Sequence, residues 1–266
     1  MKNYFNTNLK RWNELVEIHA SSEDYNLKGF MEGKSTLRDL ELKDLGDVSG
    51  KSLLHLMCHF GLDTLSWARL GANVTGVDYS DKAIQLAKTL SERLEIPASF
   101  ICSNIYNLPE MLDGEFDIVF TSYGVLCWLN DIYRWAKIVS RYLKEDGTFY
   151  MVEIHPFTWV FEDDANRGLV VKYPYFHKEE PDFFESDGTY ADREVKVDNK
   201  AQYEWQHTIS DVVNSLIEAD LRIERLKEYP FSTFSHFSLM EKGEDGYYRF
   251  MNDFELPMLF SIKATK

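Results

Sequence analysis

The chain is short of cysteine and of basic charge. Three cysteines, Cys58, Cys102 and Cys127, stand in 266 residues. Their number is odd and their spacing forms no disulfide framework, so a reduced, cytoplasmic protein is expected. Acidic residues outnumber basic ones 44 to 29, a formal charge of −15. That balance disfavours nucleic acid as a partner, because phosphate backbones need a basic footprint. A local basic patch on an otherwise acidic surface stays open. No charged-then-apolar leader opens the chain, and no apolar run approaches the length of a membrane span, so no membrane partner is expected. Two motifs are missing as well: the G-x-G-x-x-G turn of dinucleotide sites and the G-x-S-x-G nucleophile elbow.

What is present centres on residues 51–80. An apolar run, Leu53-Leu54-His55-Leu56-Met57, leads into a turn carrying Cys58, His59, Phe60 and Gly61. A helical pattern with Leu62, Leu65 and Leu70 follows and stops at Gly71. A second apolar run, Val74 to Val77, ends at Asp78. This reads as strand, turn, helix, strand, acid, with a ligand site at the carboxyl ends of both strands. The helix opens straight after the first strand, so its free N–H groups face the crevice. Asp78, with Tyr79 beside it, reaches the same edge, where a carboxylate accepts both hydroxyl protons of a ribose. The plainer alternative is an acid that caps the next helix.

The segment His55-Leu56-Met57-Cys58-His59-Phe60-Gly61 resembles the acid-x-G-x-G-x-G loop of class I S-adenosylmethionine-dependent methyltransferases of the small-molecule type. Gly61 keeps the last glycine; His55 replaces the acid, Met57 the first glycine and His59 the second. The resemblance runs from about Lys51 to Ile154, plus the C-terminal end. It implies an α/β, Rossmann-like fold with a seven-stranded, mostly parallel sheet, closed by an antiparallel C-terminal hairpin, and S-adenosyl-L-methionine as cofactor. It also implies cofactor contacts from His55, Met57, Cys58, Gly61, Asp78 and Tyr79. After a third strand, 98–102, the family recognises adenine, which places Asn104 and Ile105 there; Asn104 could equally stabilise a turn. After a fourth strand, 116–121, the family's block facing the sulfonium and the substrate corresponds to Ser122, Tyr123, Gly124 and Trp128, whose rings suit a cation or lie buried. A helix with Ile132, Trp135, Val139 and Leu143 on one face and a turn at 144–147 lead to a fifth strand, 148–154.

Four regions follow: an N-terminal helical lid, 1–50, with Leu9, Trp12, Leu15 and Val16 at helical spacing; a core, 51–155; an aromatic-rich insertion, 156–206; and a C-terminal part, 207–266, completing the sheet. Trp12 and Tyr25 are the lid residues expected to meet a ligand. In related enzymes insertions at 156–206 build the substrate pocket; here the segment could also be a dimer interface or extra core. His155, His207 and His236 are candidate bases, since imidazole titrates near neutrality. His155, just past the fifth strand, is the best placed, with Tyr123 as a second candidate catalytic group; each histidine could equally be structural. A metal site at His55, Cys58 and His59 is disfavoured, because three ligands on one strand-turn seldom converge tetrahedrally. The function expected is methyl transfer to a small molecule. The alternatives are a non-catalytic cofactor-binding or scaffold protein, which the lost glycines favour, and a nucleotide-linked oxidoreductase.

Overall fold

The computed structural model describes residues 4–164, 167–251 and 255–266. Residues 1–3, 165–166 and 252–254 lie outside the described residues. Three helices open the chain: α1 (Tyr4–Ser21), α2 (Leu27–Met31) and α3 (Asp39–Leu45). The core alternates strand and helix: β1 (Ser52–Leu56), α4 (Leu62–Arg69), β2 (Asn73–Asp78), α5 (Asp81–Arg93), β3 (Ser99–Cys102), β4 (Phe116–Ser122), α6 (Ile132–Tyr142) and β5 (Leu143–Ile154). Two hairpins follow, β6 (Phe161–Asp164) with β7 (Gly168–Val171), and β8 (Asp182–Glu185) with β9 (Ala201–Glu204). The chain ends in α7 (Ile209–Glu218), β10 (Arg222–Tyr229), a small hairpin of β11 (Met240–Lys242) and β12 (Tyr248–Phe250), and β13 (Leu259–Thr265).

Seven strands form one sheet in the order β10-β13-β5-β4-β1-β2-β3. β13 runs antiparallel to both neighbours, β5 and β10, while the other pairs are parallel. This is the seven-stranded architecture anticipated above. The parallel part is covered on both faces, so its strands read as continuous apolar runs rather than alternating ones. Leu53 to Leu56 and Ile118 to Thr121 are accordingly buried throughout.

Local signals fix the helix starts. The Ser80 side chain caps α5 by accepting from the Ala83 N–H, 3.0 Å, and α5 buries Ala83, Ile84, Ala87 and Leu90 along one face. Thr208 and Asp211 form a reciprocal capping box at α7. One boundary differs from expectation: β5 begins at Leu143, not at 148, because Leu143 already lies in register with Phe116 of β4. The turn foreseen at 144–147 is an irregularity within the strand, with Asp146 at φ 60°.

The order reverses at β1 and β4, which lie side by side while their following helices, α4 and α6, contribute to different core clusters. Such a switch opens a crevice above the carboxyl ends of the strands. The site lies there.

Candidate functional site

A cavity of about 750 Å³ opens above the carboxyl ends of β1, β2, β3 and β4, within the range of small-ligand pockets. Its strand-side wall begins in the loop after β1. Met57, His59 and Gly61 carry φ values of 59°, 51° and 77°. Left-handed backbone at alternate positions is what glycines supply without strain. Met57 and His59 therefore keep the backbone course of a glycine loop without its glycines. Gly61 has a second constraint: a Cβ there would stand 2.7 Å from the Phe100 ring.

Asp78 is half-buried at the end of β2 and lines the cavity. The His59 N–H donates to its Oδ2 at 2.7 Å, and the Ser80 N–H to its Oδ1 at 2.8 Å. Burial raises its pKa, while these N–H donors pull the other way. Each carboxylate oxygen retains a lone pair for a ligand hydroxyl.

At the position of the family's strand-one acid, His55 is buried and held neutral, its pKa pushed down to about 4 by desolvation. Its Nδ1 pairs with Thr64 Oγ1 at 2.8 Å, and its Nε2 is buried without a partner among the described residues. A carboxylate does line the cavity from the first turn of α4. Asp63 accepts from Thr36 Oγ1 at 2.6 Å and from Ser122 Oγ at 3.1 Å.

Of the other expected cofactor contacts, Cys58, Tyr79, Asn104, Ile105, Ser122 and Tyr123 all line the cavity. The Cys58 thiol packs close to Gly76 and burial pushes its pKa well up, so it is no nucleophile. Asn104 caps the short 3₁₀ turn after β3, accepting the Tyr106 N–H at 3.0 Å, so the turn-stabilising alternative holds alongside its place in the wall. Tyr123, at φ 40°, donates its hydroxyl to Glu41 Oε2 at 3.0 Å. Glu41 is fully buried, and its pKa rises to about 7 through desolvation and the neighbouring Asp63 charge.

His155 requires a correction. It does not line the cavity. Its Nδ1 accepts the Phe157 N–H at 3.1 Å, so the proton sits on Nε2, which faces Glu228 at 2.8 Å. Both nitrogens are used, and the ring is a cap and tether rather than a base. His207 is buried with Nε2 on the Leu129 carbonyl at 2.7 Å and also lies away from the cavity. His236 does line it, with Nε2 buried and unpartnered among the described residues.

The opposite wall comes from α1, the β8–β9 hairpin and the segment before β11. Trp12 and Tyr25 both reach the cavity. Trp12 packs edge-on against Trp128 at 5.3 Å and His59 at 5.4 Å. Three side chains on one face of α1 clamp the hairpin. Asn8 exchanges bonds with the Tyr203 backbone, 2.8 and 2.9 Å. The buried Arg11 guanidinium donates to the carbonyls of Ser186, Gly188, Asn199 and Lys200 and to Ser186 Oγ. Glu14 accepts the N–H groups of Asp198 and Asn199.

Sequence reasoning passed over several of these groups. Glu153 sits in the apolar run Met151-Val152-Glu153-Ile154 and accepts the N–H groups of Gly124, Val125, Leu126 and Ile154, fixing the loop beside Tyr123. An acid inside an apolar strand was the available signal. Arg11, Glu41 and Asp63 gave none, because polar residues on amphipathic helices usually face water.

Comparison with known proteins converges on one family. Residues 54–151 match a family model described as a methyltransferase domain. The chain is 33% identical over 135 residues to an uncharacterized methyltransferase of Synechocystis, covering 48% of this chain and 59% of that protein. It is 28% identical over 120 residues to a ubiquinone biosynthesis O-methyltransferase of Chromobacterium violaceum, covering 45% and 47%. The chain thus spans about half to three-fifths of the length of these relatives. Among solved structures, an S-adenosylmethionine-dependent methyltransferase of Mesorhizobium loti superposes with a TM-score of 0.58 at 17% identity, covering 89% of this chain and all of that one. Left-handed backbone surviving where glycine does not, beneath a sheet of this order, agrees with the match over 54–151: that stretch is similar to a methyltransferase domain, and the chain shares the fold of S-adenosylmethionine-dependent methyltransferases.

Proposed function

We propose that the protein transfers a methyl group from S-adenosyl-L-methionine to a small-molecule acceptor. The observation that carries this reading is Asp78, open to the cavity at the end of β2 and tied to the left-handed loop through the His59 N–H. The residues present suit the cofactor. Asp78 would accept the ribose hydroxyls, Ile105 would pack on the adenine ring, and Asn104 would keep its amide N–H groups and one lone pair for the ring edge. Asp63 restores, from α4, the negative charge that His55 removes from β1, and would face the ammonium of the methionine part. Bound there, the cofactor brings a methyl group already activated on a sulfonium.

The protein's own contribution is alignment and exclusion of water. Glu153 holds the 124–126 loop through backbone bonds, and Glu41 fixes the Tyr123 ring beside it. The clamp on α1 keeps a roof of Trp12 and the β8–β9 hairpin over the cavity. Orientation of this kind supplies several powers of ten in rate without a proton transfer. The aromatic lining suits an apolar or cationic small acceptor, and the match to a ubiquinone biosynthesis O-methyltransferase supports a small-molecule substrate. The net charge argues against nucleic acid.

A second reading is favoured by one observation: Met57 and His59 place side chains where the family has none, and a protein that binds the cofactor without turnover would show the same loop. Titration calorimetry with S-adenosylmethionine tests the main reading, with Asp78→Ala as control. Heat lost on substitution supports it; no heat from either protein would end both readings. Release of S-adenosylhomocysteine across a panel of phenols, amines and carboxylic acids separates catalysis from binding alone.

A further inference from the structure

The far wall of the cavity carries a charge pattern opposite to that of the whole chain. Arg38, Arg193 and Lys242 line it there, and none of the three forms an ion pair among the described residues. Arg38 and Arg193 hold one short segment from two sides. Arg38 donates to the Thr233 carbonyl at 3.4 Å, and Arg193 to the Ser235 carbonyl at 2.6 Å. Each guanidinium has five N–H donors and uses only part of them on these carbonyls. Between the two anchor points and His236, Phe234 turns its ring to the cavity, 4.0 Å from the His236 ring. Trp159 stands 5.8 Å from His236 on its other flank, and Tyr190 5.3 Å from Phe234.

Two of the cavity's four acids, Glu204 and Asp24, lie with the covering elements, and neither forms an ion pair with these cations among the described residues. Asp63 and Asp78 belong to the strand edge, Glu204 lies by Arg11 and Gln202, and Asp24 lies by Tyr25 and Tyr190. The buried His236 Nε2 has no partner among the described residues, and desolvation with the Arg193 charge pushes this imidazole down to about 3, so it is neutral. A neutral ring nitrogen with no partner among the described residues, the Arg193 charge beside it, and Lys242 and Arg38 lining the same cavity from the Tyr248 and Tyr247 rings leave hydrogen-bonding capacity at this wall.

We propose that this wall binds the acceptor, and that the acceptor is an oxyanion on an aromatic or flat apolar body, its carboxylate or phosphate held by Arg193 and Lys242 with His236 as a neutral hydrogen-bond partner. The proposal rests on the methyltransferase reading and deepens it. It keeps the apolar body that the aromatic lining suits and replaces the cationic alternative with an anionic one, on the ground of the three basic residues in the wall. Arg38 acts as a positioning residue, holding Thr233 so that Phe234 and His236 face inward. The residues proposed to hold the cofactor, Asp63, Asp78 and Asn104, lie on the strand side of the cavity, so the two sites are built from different residues.

The test uses the full chain saturated with S-adenosylhomocysteine and four simple probes in calorimetric titration: benzoate, phenyl phosphate, benzamide and benzylamine. At least one of the two anions should bind ten-fold or more tightly than neutral benzamide, and benzylamine should bind worst. Which anion leads tells carboxylate from phosphate. Arg193→Gln with Lys242→Gln should erase the advantage while leaving S-adenosylhomocysteine affinity within about two-fold. Arg193→Lys should retain part of it, which a role in holding the Ser235 carbonyl alone would not predict. Benzamide or benzylamine binding as tightly as the anions, no probe binding at all, or an anion advantage that survives the double substitution would each overturn the proposal. Loss of S-adenosylhomocysteine affinity in the wild-type protein would instead strike the methyltransferase reading itself.

Discussion

The two walls of the cavity are built by different means. The strand-side wall is made by backbone. β1, β2, β3 and β4 end at one edge, and the loop after β1 aims its N–H groups at Asp78. The covering wall is made by side chains gripping irregular backbone. Asn8, Arg11 and Glu14 of α1 satisfy carbonyls and N–H groups of residues 186–203, most of which no strand partner could reach. Buried backbone polar groups must find partners somewhere. In the sheet the ladder supplies them, and in the cover one helix face does. The first wall is thus a property of topology, whereas the second hangs on a few particular residues.

The sharpest way to break this contrast is Arg11→Ala. Arg11 is 3% exposed and feeds four carbonyls and a hydroxyl. Removing it takes the donor from those part-buried acceptors, of which the Lys200 carbonyl keeps the Ser186 N–H, and costs roughly 3–5 kcal/mol. The loss should fall on the cover: protease cleavage within 186–200 should rise before global unfolding in urea. A variant that unfolds earlier with no separate gain in cleavage would show the two walls to be one cooperative body.

The next effect crosses between the walls. Glu41 on α3 reaches Tyr123 at the end of β4. Its folded pKa, about 7, lies above the ordinary 4.5. The folded state therefore holds the proton more tightly, and the contribution is present below about pH 4.5 and lost as the pH rises through 7. Glu41→Gln keeps the shape and removes the charge. Chemical denaturation between pH 4.5 and 8 should show the wild type losing at most about 3 kcal/mol relative to this variant across that window. A parallel pair of curves would mean that Glu41 stays ionised throughout.

The difference between the walls also explains what could be read from the sequence. The strand edge was legible because its signals are periodic: apolar runs, Ser80 and Thr208 caps, an acid closing β2. The loop at 57–61 was legible only by its position, since Met57 and His59 carry no glycine signal, yet both adopt the left-handed backbone. The cover was legible as aromatic composition and no further. No periodicity announces that Asn8, Arg11 and Glu14 face a hairpin rather than water. Glu41 and Asp63 likewise look like ordinary helix-surface acids until tertiary contacts bury or engage them. A smaller prediction isolates the loop. At most half-buried positions alanine is the more stable choice over glycine, but at φ 59° the order should invert. Met57→Gly should therefore exceed Met57→Ala in stability by about 1 kcal/mol in thermal or urea unfolding. The usual order would mean that the loop relaxes out of the left-handed region once the side chain is trimmed.

The smallest effect is expected where sequence position and structure disagree most. His155 follows β5 directly, at the same level as the residues that end the other strands, and position alone makes it a candidate base. The neighbours of β5 decide otherwise. β13 continues the sheet there, the His155 N–H bonds the Met258 carbonyl at 2.9 Å, and the ring packs 5.9 Å from Phe260 with its Nε2 on Glu228 of β10. Burial lowers the imidazole pKa, and the Glu228 bond opposes that only in part. Glu228 is more than half exposed, and a pair of that kind stabilises by less than about 1 kcal/mol. Glutamine at 155 retains an acceptor for the Phe157 N–H. His155→Gln should therefore leave kcat and its pH profile unchanged within about two-fold and lower the unfolding midpoint only slightly. A ten-fold fall in kcat with loss of an ionisation near neutrality would put the base at the sheet edge after all, because a structural tether has no means of moving a pH profile without first moving stability.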